Sequence, residues 1–327
     1  MGFRQSFFES RIVPVLAPGS RMLNVNWALT IAQPRRFKPV LSVRKAPDWK
    51  SGETYYQHLE NGYDILAPLY DGDIGSNLIG NRMRSLFRDA LRETFRPGQH
   101  VFEIGCGTGI EALWLARQGL DVVATDVSQR MLDRVQLKAH TEGLAERIHC
   151  RKLAAREIGA LAEEFGRESF DGGYCHAGAL NMEPATFHVP PQVRALIKRR
   201  GAFVCSVINK TSLFEVLFYS LILRPRKAFR RMGNVVPIPI ARVGPLKEYV
   251  IPARFYSPRD IAQIFQDGFT LENARALEVF LPPSNLTNIY ERFGVAFRPI
   301  ELLENRLSRF WPVNTWGHHT LFTLRRW

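Results

Sequence analysis

Residues 101–109 read Val-Phe-Glu-Ile-Gly-Cys-Gly-Thr-Gly, and this stretch constrains the fold most strongly. An apolar run leads into an acidic residue and then into glycines at alternate positions, Gly105, Gly107 and Gly109. From Ile110 onward, apolar residues recur with helical spacing. Because glycine has no side chain and adopts positive φ, such a turn lets the backbone approach a ligand closely. The segment therefore predicts a strand, a ligand-binding loop and a helix in an α/β fold.

The spacing of these glycines indicates what the loop binds. Dinucleotide sites use G-x-G-x-x-G, which places a pyrophosphate on a helix N-terminus. Here the spacing is G-x-G-x-G, and Glu103 at the end of the strand would repel a pyrophosphate. The expected ligand is therefore a nucleoside without phosphate.

A second acidic residue, Asp126, follows at a position suited to bind the ribose of a nucleoside. Residues 121–126 form a short run rich in β-branched residues that ends in Asp126. That residue lies about 20 residues beyond the glycine loop, where an acid in such a unit hydrogen-bonds ribose hydroxyls. Ser128 is a candidate N-cap for the next helix. Two motifs at this separation support one nucleoside site.

Apolar runs and helical segments alternate along the rest of the chain, which is typical of a parallel sheet covered by helices on both faces. We predict an α/β fold with a doubly wound, mostly parallel seven-stranded sheet and an antiparallel edge strand. Residues 1–53 are predicted as a basic N-terminal extension and 54–327 as the domain, with a lid insertion after strand five at about 211–256. The predicted strands are 100–106, 121–126, 148–153, 170–176, 202–208, 269–281 and, at the edge, 318–325.

The net charge of +13 is unevenly distributed. Residues 1–50 hold nine Lys and Arg against two acids, and residues 224–248 hold seven against one. The region between them is close to neutral, so the predicted core shows no basic surface for nucleic acid. An RNA-directed enzyme that uses the basic arm remains an alternative.

The four cysteines show neither the spacing of a zinc site nor that of a disulfide framework. We expect them to be reduced, buried side chains, and we expect no metal cofactor. No segment is long and apolar enough to span a bilayer, and the N-terminus shows no signal peptide. The expected location is the cytoplasm, with peripheral membrane contact as an alternative.

Residues 103–109 and 126–132 together resemble the class I S-adenosylmethionine-dependent methyltransferases. The chain looks closest to bacterial small-molecule enzymes of the ubiquinone-biosynthesis-like superfamily, through residues 63–71, 178–181 and 256–259. The resemblance implies S-adenosyl-L-methionine as cofactor, S-adenosyl-L-homocysteine as product and a small-molecule acceptor.

The resemblance also implies the cofactor site. The glycines line the methionine portion, Asp126 binds ribose, and Val127 and Met131 flank adenine. Residues 153–156 read Leu-Ala-Ala-Arg where the family often has an Asp-Ala-like pair, so the adenine contact is assigned to backbone there. The full set is Glu103, Gly105, Cys106, Gly107, Thr108, Gly109, Asp126, Val127, Ser128, Met131, Ala154, Ala155, His176 and Ala177.

Methyl transfer to oxygen or carbon also requires removal of a proton. His176 ends a predicted strand at the sheet edge where open α/β folds bind ligands, and it is the candidate general base. An equally weighted alternative is a histidine that packs on the cofactor or hydrogen-bonds it.

Tyr70 and Asn181 are candidate substrate contacts, with a core role as the alternative. His318 and His319 are expected to be structural or solvated.

Residues 212–223 are almost all apolar, and residues 224–231 are strongly basic. Three interpretations fit such a segment. It could lie on an anionic membrane, it could cover an apolar substrate pocket, or it could be a buried helix that ends in a solvated charge cluster. It favours a hydrophobic or amphipathic acceptor, such as a lipid, a quinone-like or a polyketide-like molecule. A non-catalytic regulatory protein and a spermidine-synthase-like aminopropyl transferase are further alternatives. The atom methylated and the oligomeric state are left open.

Overall fold

The computed structural model describes residues 52–327 apart from Asn234 and residues 244–246. The predicted basic extension lies almost wholly outside the described residues. In the described part, no helix has both the length and the apolarity needed to cross a membrane. The helices are α1 Glu53–Leu66, α2 Tyr70–Gly75, α3 Leu78–Thr94, α4 Ile110–Arg117, α5 Gln129–Thr141, α6 Leu161–Phe165, α7 Val189–Leu196, α8 Leu213–Leu221, α9 Pro225–Ala228, α10 Pro258–Phe265 and α11 Thr287–Leu307.

Seven strands form one sheet in the order β3-β2-β1-β4-β5-β9-β8, and β6 and β7 form a separate hairpin. Strands β1 to β5 pair in parallel, whereas β9 runs antiparallel to both of its neighbours. The predicted fold class is confirmed. The strands are β1 His100–Ile104, β2 Asp121–Asp126, β3 Ile148–Lys152, β4 Phe170–Cys175, β5 Ile197–Ile208, β6 Val236–Val243, β7 Lys247–Ala253, β8 Phe269–Leu277 and β9 His319–Arg326.

The predicted position of the reversed strand was wrong. Strand β9 lies inside the sheet between β5 and β8, and β8 is the edge. The burial of the two strands gives the reason. Six of the eight β9 residues are buried, whereas residues 270–273 of β8 are exposed and include a glutamate and an asparagine. A polar, exposed strand suits an edge, and a strand covered on both faces suits the interior.

Local sequence signals explain where the helices begin. Asn77 caps α3 by accepting a hydrogen bond from the Gly80 N–H, and the apolar face of that helix is buried. Helix α10 begins with a capping box in which Ser257 and Asp260 bond each other's backbone N–H groups. Both helices lie where the sequence predicts them.

The sheet has apolar clusters on its faces, and a third cluster joins α1 to the β6–β7 hairpin. The Tyr55 hydroxyl donates to the Met182 carbonyl at 2.6 Å and lies 3.2 Å from the Pro252 carbonyl of the hairpin, and the Tyr249 hydroxyl donates to the His58 carbonyl at 2.7 Å. The hairpin is therefore packed against α1, which positions one wall of the site described next.

Candidate active site

A cavity with an empty volume of about 630 Å³ opens at the carboxyl ends of β1, β2 and β4. This is the edge where open parallel sheets bind their ligands. Half of its lining residues are among the predicted site residues: Tyr70, Gly105, Gly107, Asp126, Val127, Ala155, His176 and Ala177. The others are Tyr56, Leu59, Tyr63, Ile104, Leu153, Ala179, Met182 and Glu183.

The glycine loop follows β1 and leads into α4. Gly105 has a φ of 69°, and a Cβ built on it would lie 2.5 Å from the Ala179 Cβ. Gly109, with a φ of 76°, is the N-cap of α4, and its Cβ would lie 2.8 Å from Val135. Both positions need glycine for conformation and for space. The loop can therefore lie close to a ligand at the floor of the cavity.

Asp126 ends β2 and presents a buried carboxylate to the cavity. Its oxygens accept hydrogen bonds from the Gly107 N–H and the Ser128 N–H, each at 2.9 Å. Burial raises the pKa of this carboxyl to about 6, and the backbone hydrogen bonds oppose that rise. The side chain is held in one position and keeps lone pairs that can accept bonds from ligand hydroxyls.

Seven predicted cofactor residues lie outside the cavity lining, and several of them hold neighbouring segments in place. The Thr108 hydroxyl donates to Asp71 at 2.5 Å, and the Ser128 hydroxyl caps α5 and donates to Asp64. The fully buried Glu103 accepts a hydrogen bond from the Tyr174 hydroxyl at 3.1 Å, and burial raises its pKa well above the ordinary value. The seven are Glu103, Cys106, Thr108, Gly109, Ser128, Met131 and Ala154.

His176 directly follows β4 and is buried at the cavity wall. Its Nδ1 lies 2.9 Å from the Ser206 hydroxyl, which also accepts the Ala177 N–H. Its ring stacks on Phe87 with 4.1 Å between centroids. Within the described residues, no hydrogen bond reaches its Nε2. Burial lowers the pKa of His176 well below the ordinary value, so the ring is neutral at pH 7.

The two predicted substrate residues differ in position. Tyr70 lines the cavity, and its hydroxyl would lie 3.5 Å from a Cβ built on Gly107. Asn181 is fully buried and donates to the carbonyls of Ile208 and Arg254, while its oxygen accepts the Ile208 N–H. The Asn181 amide is fully engaged by backbone groups and does not line the cavity. In this structure it therefore stabilises the fold.

One wall of the cavity was missed by sequence reasoning. Helix α1 contributes Tyr56, Leu59 and Tyr63. The Tyr56 hydroxyl donates to Glu183 at 2.5 Å, and burial raises the pKa of that carboxyl. The aromatic richness of residues 54–71 was the available signal, but aromatic residues at helical spacing also suit an ordinary core.

The predicted lid insertion, at about 211–256, packs beside the cavity. Among the described residues of 211–256, none lines the cavity. The β6–β7 hairpin packs behind α1, and α1 with Tyr70 faces the cavity. A lid role for this insertion stays a prediction, and its described residues support the cavity wall through the packing of the β6–β7 hairpin on α1.

The comparison with protein families fits this geometry. Residues 101–201, which contain the glycine loop, Asp126 and His176, match a family described as a methyltransferase domain. Over these residues the chain is similar to a methyltransferase domain. The match covers β1 to the first part of β5, which is where the predicted motifs are densest.

Known proteins resemble the methyltransferase domain in sequence and in fold. A ubiquinone biosynthesis O-methyltransferase of Roseobacter denitrificans is 31% identical over 151 residues, which cover 45% of this chain and 54% of that protein. The chain spans about half the length of the curated relatives that it matches.

Two solved structures share the fold of the methyltransferase domain. The cyclase SpnF is 16% identical, with a TM-score of 0.54, and the match covers 83% of this chain and 96% of that chain. The 1,6-didemethyltoxoflavin-N1-methyltransferase of Burkholderia thailandensis is 15% identical, with a TM-score of 0.51, and the match covers 83% and 88%. At these identities the likeness shows the fold alone.

Proposed function

We propose that this protein transfers a methyl group from S-adenosyl-L-methionine to a small hydrophobic or amphipathic acceptor. The observation that carries the proposal is the meeting of the glycine loop, Asp126 and His176 in one cavity. The cavity suits the cofactor, since Gly105 lines it at a position where a Cβ would clash with Ala179, and Asp126 offers a buried acceptor for ribose hydroxyls. The Burkholderia thailandensis structure contains S-adenosylhomocysteine, which supports the same class of ligand here.

The chain's own contribution is mainly positioning. S-adenosylmethionine supplies a methyl group that is already activated as a sulfonium, so alignment with the acceptor accounts for most of the acceleration. Asp126 fixes the ribose, the backbone at Gly105 and Gly107 accommodates the methionine portion, and Val127 and Ala155 supply apolar contact for the adenine. Helix α1 adds an apolar and aromatic wall of Tyr56, Leu59 and Tyr63 beside this site.

The lining favours a hydrophobic ring compound as acceptor. Tyr56, Leu59, Tyr63, Leu153 and Met182 give one part of the cavity an aromatic and aliphatic surface. Planar apolar ligands pack well against such side chains. The Roseobacter denitrificans relative, a ubiquinone biosynthesis O-methyltransferase, supports a phenolic, quinone-like acceptor for this chain. The alternative of RNA methylation depends on the basic arm, which lies outside the described residues.

His176 is proposed to position ligands as a neutral ring and not to act as the general base. A base works best with a pKa near the operating pH, and burial holds the pKa of His176 far below that. Its contact with Ser206 and its stacking on Phe87 fix the ring instead.

The test is binding and methyl transfer by the purified protein. We expect micromolar Kd values for S-adenosylmethionine and S-adenosylhomocysteine by calorimetry, and transfer of labelled methyl to phenols with hydrophobic tails. His176→Gln should raise KM and leave the pH dependence of kcat unchanged between pH 6 and about 8. No binding of either ligand would overturn the methyltransferase proposal. Loss of kcat by about 10²-fold or more, with a changed pH profile, would make His176 the base.

We further propose that the exposed face of residues 212–231 rests on an anionic membrane surface. Leu221 and Leu223 are 82% and 87% exposed, and the basic Arg224, Arg226 and Lys227 follow directly in the chain. Exposed leucines beside cations suit the boundary between lipid headgroups and acyl chains. A hydrophobic acceptor could then be taken from the bilayer.

Vesicle cosedimentation tests this contact. We expect binding to phosphatidylcholine vesicles only when phosphatidylserine is included, and weaker binding for Leu217→Asp. Leu137→Asp on α5 is the matched control, because both leucines are 62% exposed. Equal loss of binding in the two variants, or no dependence on phosphatidylserine, would contradict the proposal.

A further inference from the structure

Glu278, His318 and His319 form a buried cluster at the junction of β8 and β9. Glu278 directly follows β8, and His319 begins β9, where it pairs with Leu277. The sequence led us to expect structural or solvated histidines, and burial excludes the solvated state. The cluster lies outside the lining of the cavity described above.

The three side chains offer ligand atoms at separations that one metal ion can bridge. The Nδ1 atoms of the two histidines are 2.9 Å apart. A Glu278 carboxylate oxygen lies 3.3 Å from the His318 Nδ1 and 3.9 Å from the His319 Nδ1. Zn²⁺ binds imidazole nitrogens at about 2.0–2.1 Å and carboxylate oxygens at about 2.0–2.2 Å, so two ligand atoms of a tetrahedral ion lie roughly 3.3–3.6 Å apart. The three separations, from 2.9 to 3.9 Å, lie around that range, so small side-chain adjustments would bring all three atoms onto one ion.

The Glu278 carboxylate supplies an independent observation. The residue is only 3% exposed, and no hydrogen bond from a described residue reaches either of its oxygens. Burying an unpaired carboxylate is costly, and such a group calls for an explanation such as a bound ion. The neighbouring Arg231 is not available, because it pairs with Glu215 and donates to the Asn209 carbonyl. Glu278 thus lacks a permanent cation among the described residues within 4 Å.

We propose that Glu278, His318 and His319 bind one divalent first-row transition metal ion, with Zn²⁺ as the best match. Two imidazole nitrogens and one carboxylate suit Zn²⁺ and its neighbours in the series. Ca²⁺ and Mg²⁺ prefer oxygen ligands in larger number. The ion would neutralise Glu278 and fasten the start of β9 to the end of β8. This site is independent of the methyltransferase proposal.

Metal content and thermal unfolding test the site. Tag-free protein is loaded with Zn²⁺, dialysed and analysed by mass spectrometry, and its Tm is compared with and without Zn²⁺. We expect about one tightly held ion per chain and a Tm that rises with Zn²⁺ and not with Mg²⁺. Glu278→Gln and His319→Gln should lose both the ion and the Tm rise. His140→Gln, at an exposed histidine on α5, is the control and should keep them.

A second measurement keeps the test decisive if a variant fails to fold. Wild-type protein is titrated with Co²⁺, whose visible absorption reports its ligands, and Zn²⁺ is then added in competition. We expect bands of a protein-bound ion that Zn²⁺ displaces at equal stoichiometry. Absence of stoichiometric Zn²⁺ and Co²⁺ binding by wild-type protein, or full retention by Glu278→Gln, would overturn the proposal.

Discussion

Replacing Arg231 with alanine is expected to lower the free energy of unfolding by about 3–5 kcal/mol. The Glu215 carboxylate is fully buried on α8, and Arg231 contacts it through Nε at 2.6 Å and Nη2 at 3.1 Å. Arg231 also donates through Nη1 to the Asn209 carbonyl at 2.9 Å. The variant would leave a buried charge without its main partner, which costs far more than losing an exposed ion pair.

Arg230 provides a matched control for this substitution. It also contacts Glu215, at 3.3 Å, but its side chain is 39% exposed. Arg230→Ala should therefore cost less than about 1 kcal/mol. Urea unfolding followed by circular dichroism measures both variants. The double variant Glu215→Met, Arg231→Met should recover much of the loss, since an apolar pair of similar volume carries no buried charge. Equal losses in the two single variants would contradict the assignment.

The Glu215–Arg231 ion pair should also make the free energy of unfolding depend on pH. Burial alone would raise the pKa of Glu215, but the hydrogen bonds and charge of Arg231 bring it below the ordinary carboxyl value. A carboxyl whose pKa is lower in the folded state stabilises the fold above its unfolded pKa. That contribution is lost as the pH falls through the folded pKa. In Arg231→Ala, burial raises the pKa of Glu215 with much less opposition, so the difference in stability between wild type and variant should be largest at high pH and shrink as the pH falls and Glu215 of the variant is protonated.

Replacing Asp126 with alanine is expected to weaken S-adenosylmethionine binding by about 2–3 kcal/mol, or roughly 30- to 150-fold in Kd. The side chain is fixed by the N–H groups of Gly107 and Ser128 and would accept the ribose hydroxyls as a carboxylate. Charge-assisted hydrogen bonds of this kind are stronger than neutral ones. Calorimetric titration measures the change, and Asp133→Ala, at an exposed position on α5, is the control.

Affinity for the cofactor should also depend on pH through Asp126. The pKa of this carboxyl is about 6 in the free protein, so it is ionised at pH 8 and largely protonated at pH 5. The protonated form accepts fewer hydrogen bonds, so affinity should be constant above pH 7 and fall as the pH drops below 6. The Asp126→Ala variant should lack this dependence. A similar fall in both proteins would assign the titration to another group.

The sequence predicts β1, β2 and the segments that follow them well, because the residues that define these elements lie close together in the chain. The glycine loop, Asp126 and the Ser128 cap each sit within a few residues of a strand end, and the structure places them as expected. Strand β5 begins at Ile197, five residues earlier than predicted. Its first residues, Lys198, Arg199 and Arg200, are charged and exposed, and therefore lack the apolar pattern of a buried strand.

The rest of the site depends on contacts between distant segments. The Tyr56–Glu183 hydrogen bond joins residues 127 positions apart, and no local pattern encodes it. Asn181 looks like a ligand contact because it is polar and follows β4. In the folded chain, backbone groups near Ile208 and Arg254 need hydrogen-bond partners, and its amide supplies them. Local polarity does not show whether a side chain serves a ligand or the backbone.

The interior position of β9 has a consequence for how the protein is made. Among the described strands, β8 pairs with β9 alone, and β9 follows it in the chain by about 40 residues. During synthesis, β8 therefore has no strand partner until β9 has been made. Until then, the edge of β5 that β9 later covers is also unpaired. Open edges of this kind recruit other chains. The yield of native protein should thus depend on how fast β9 inserts, as well as on how stable the finished sheet is.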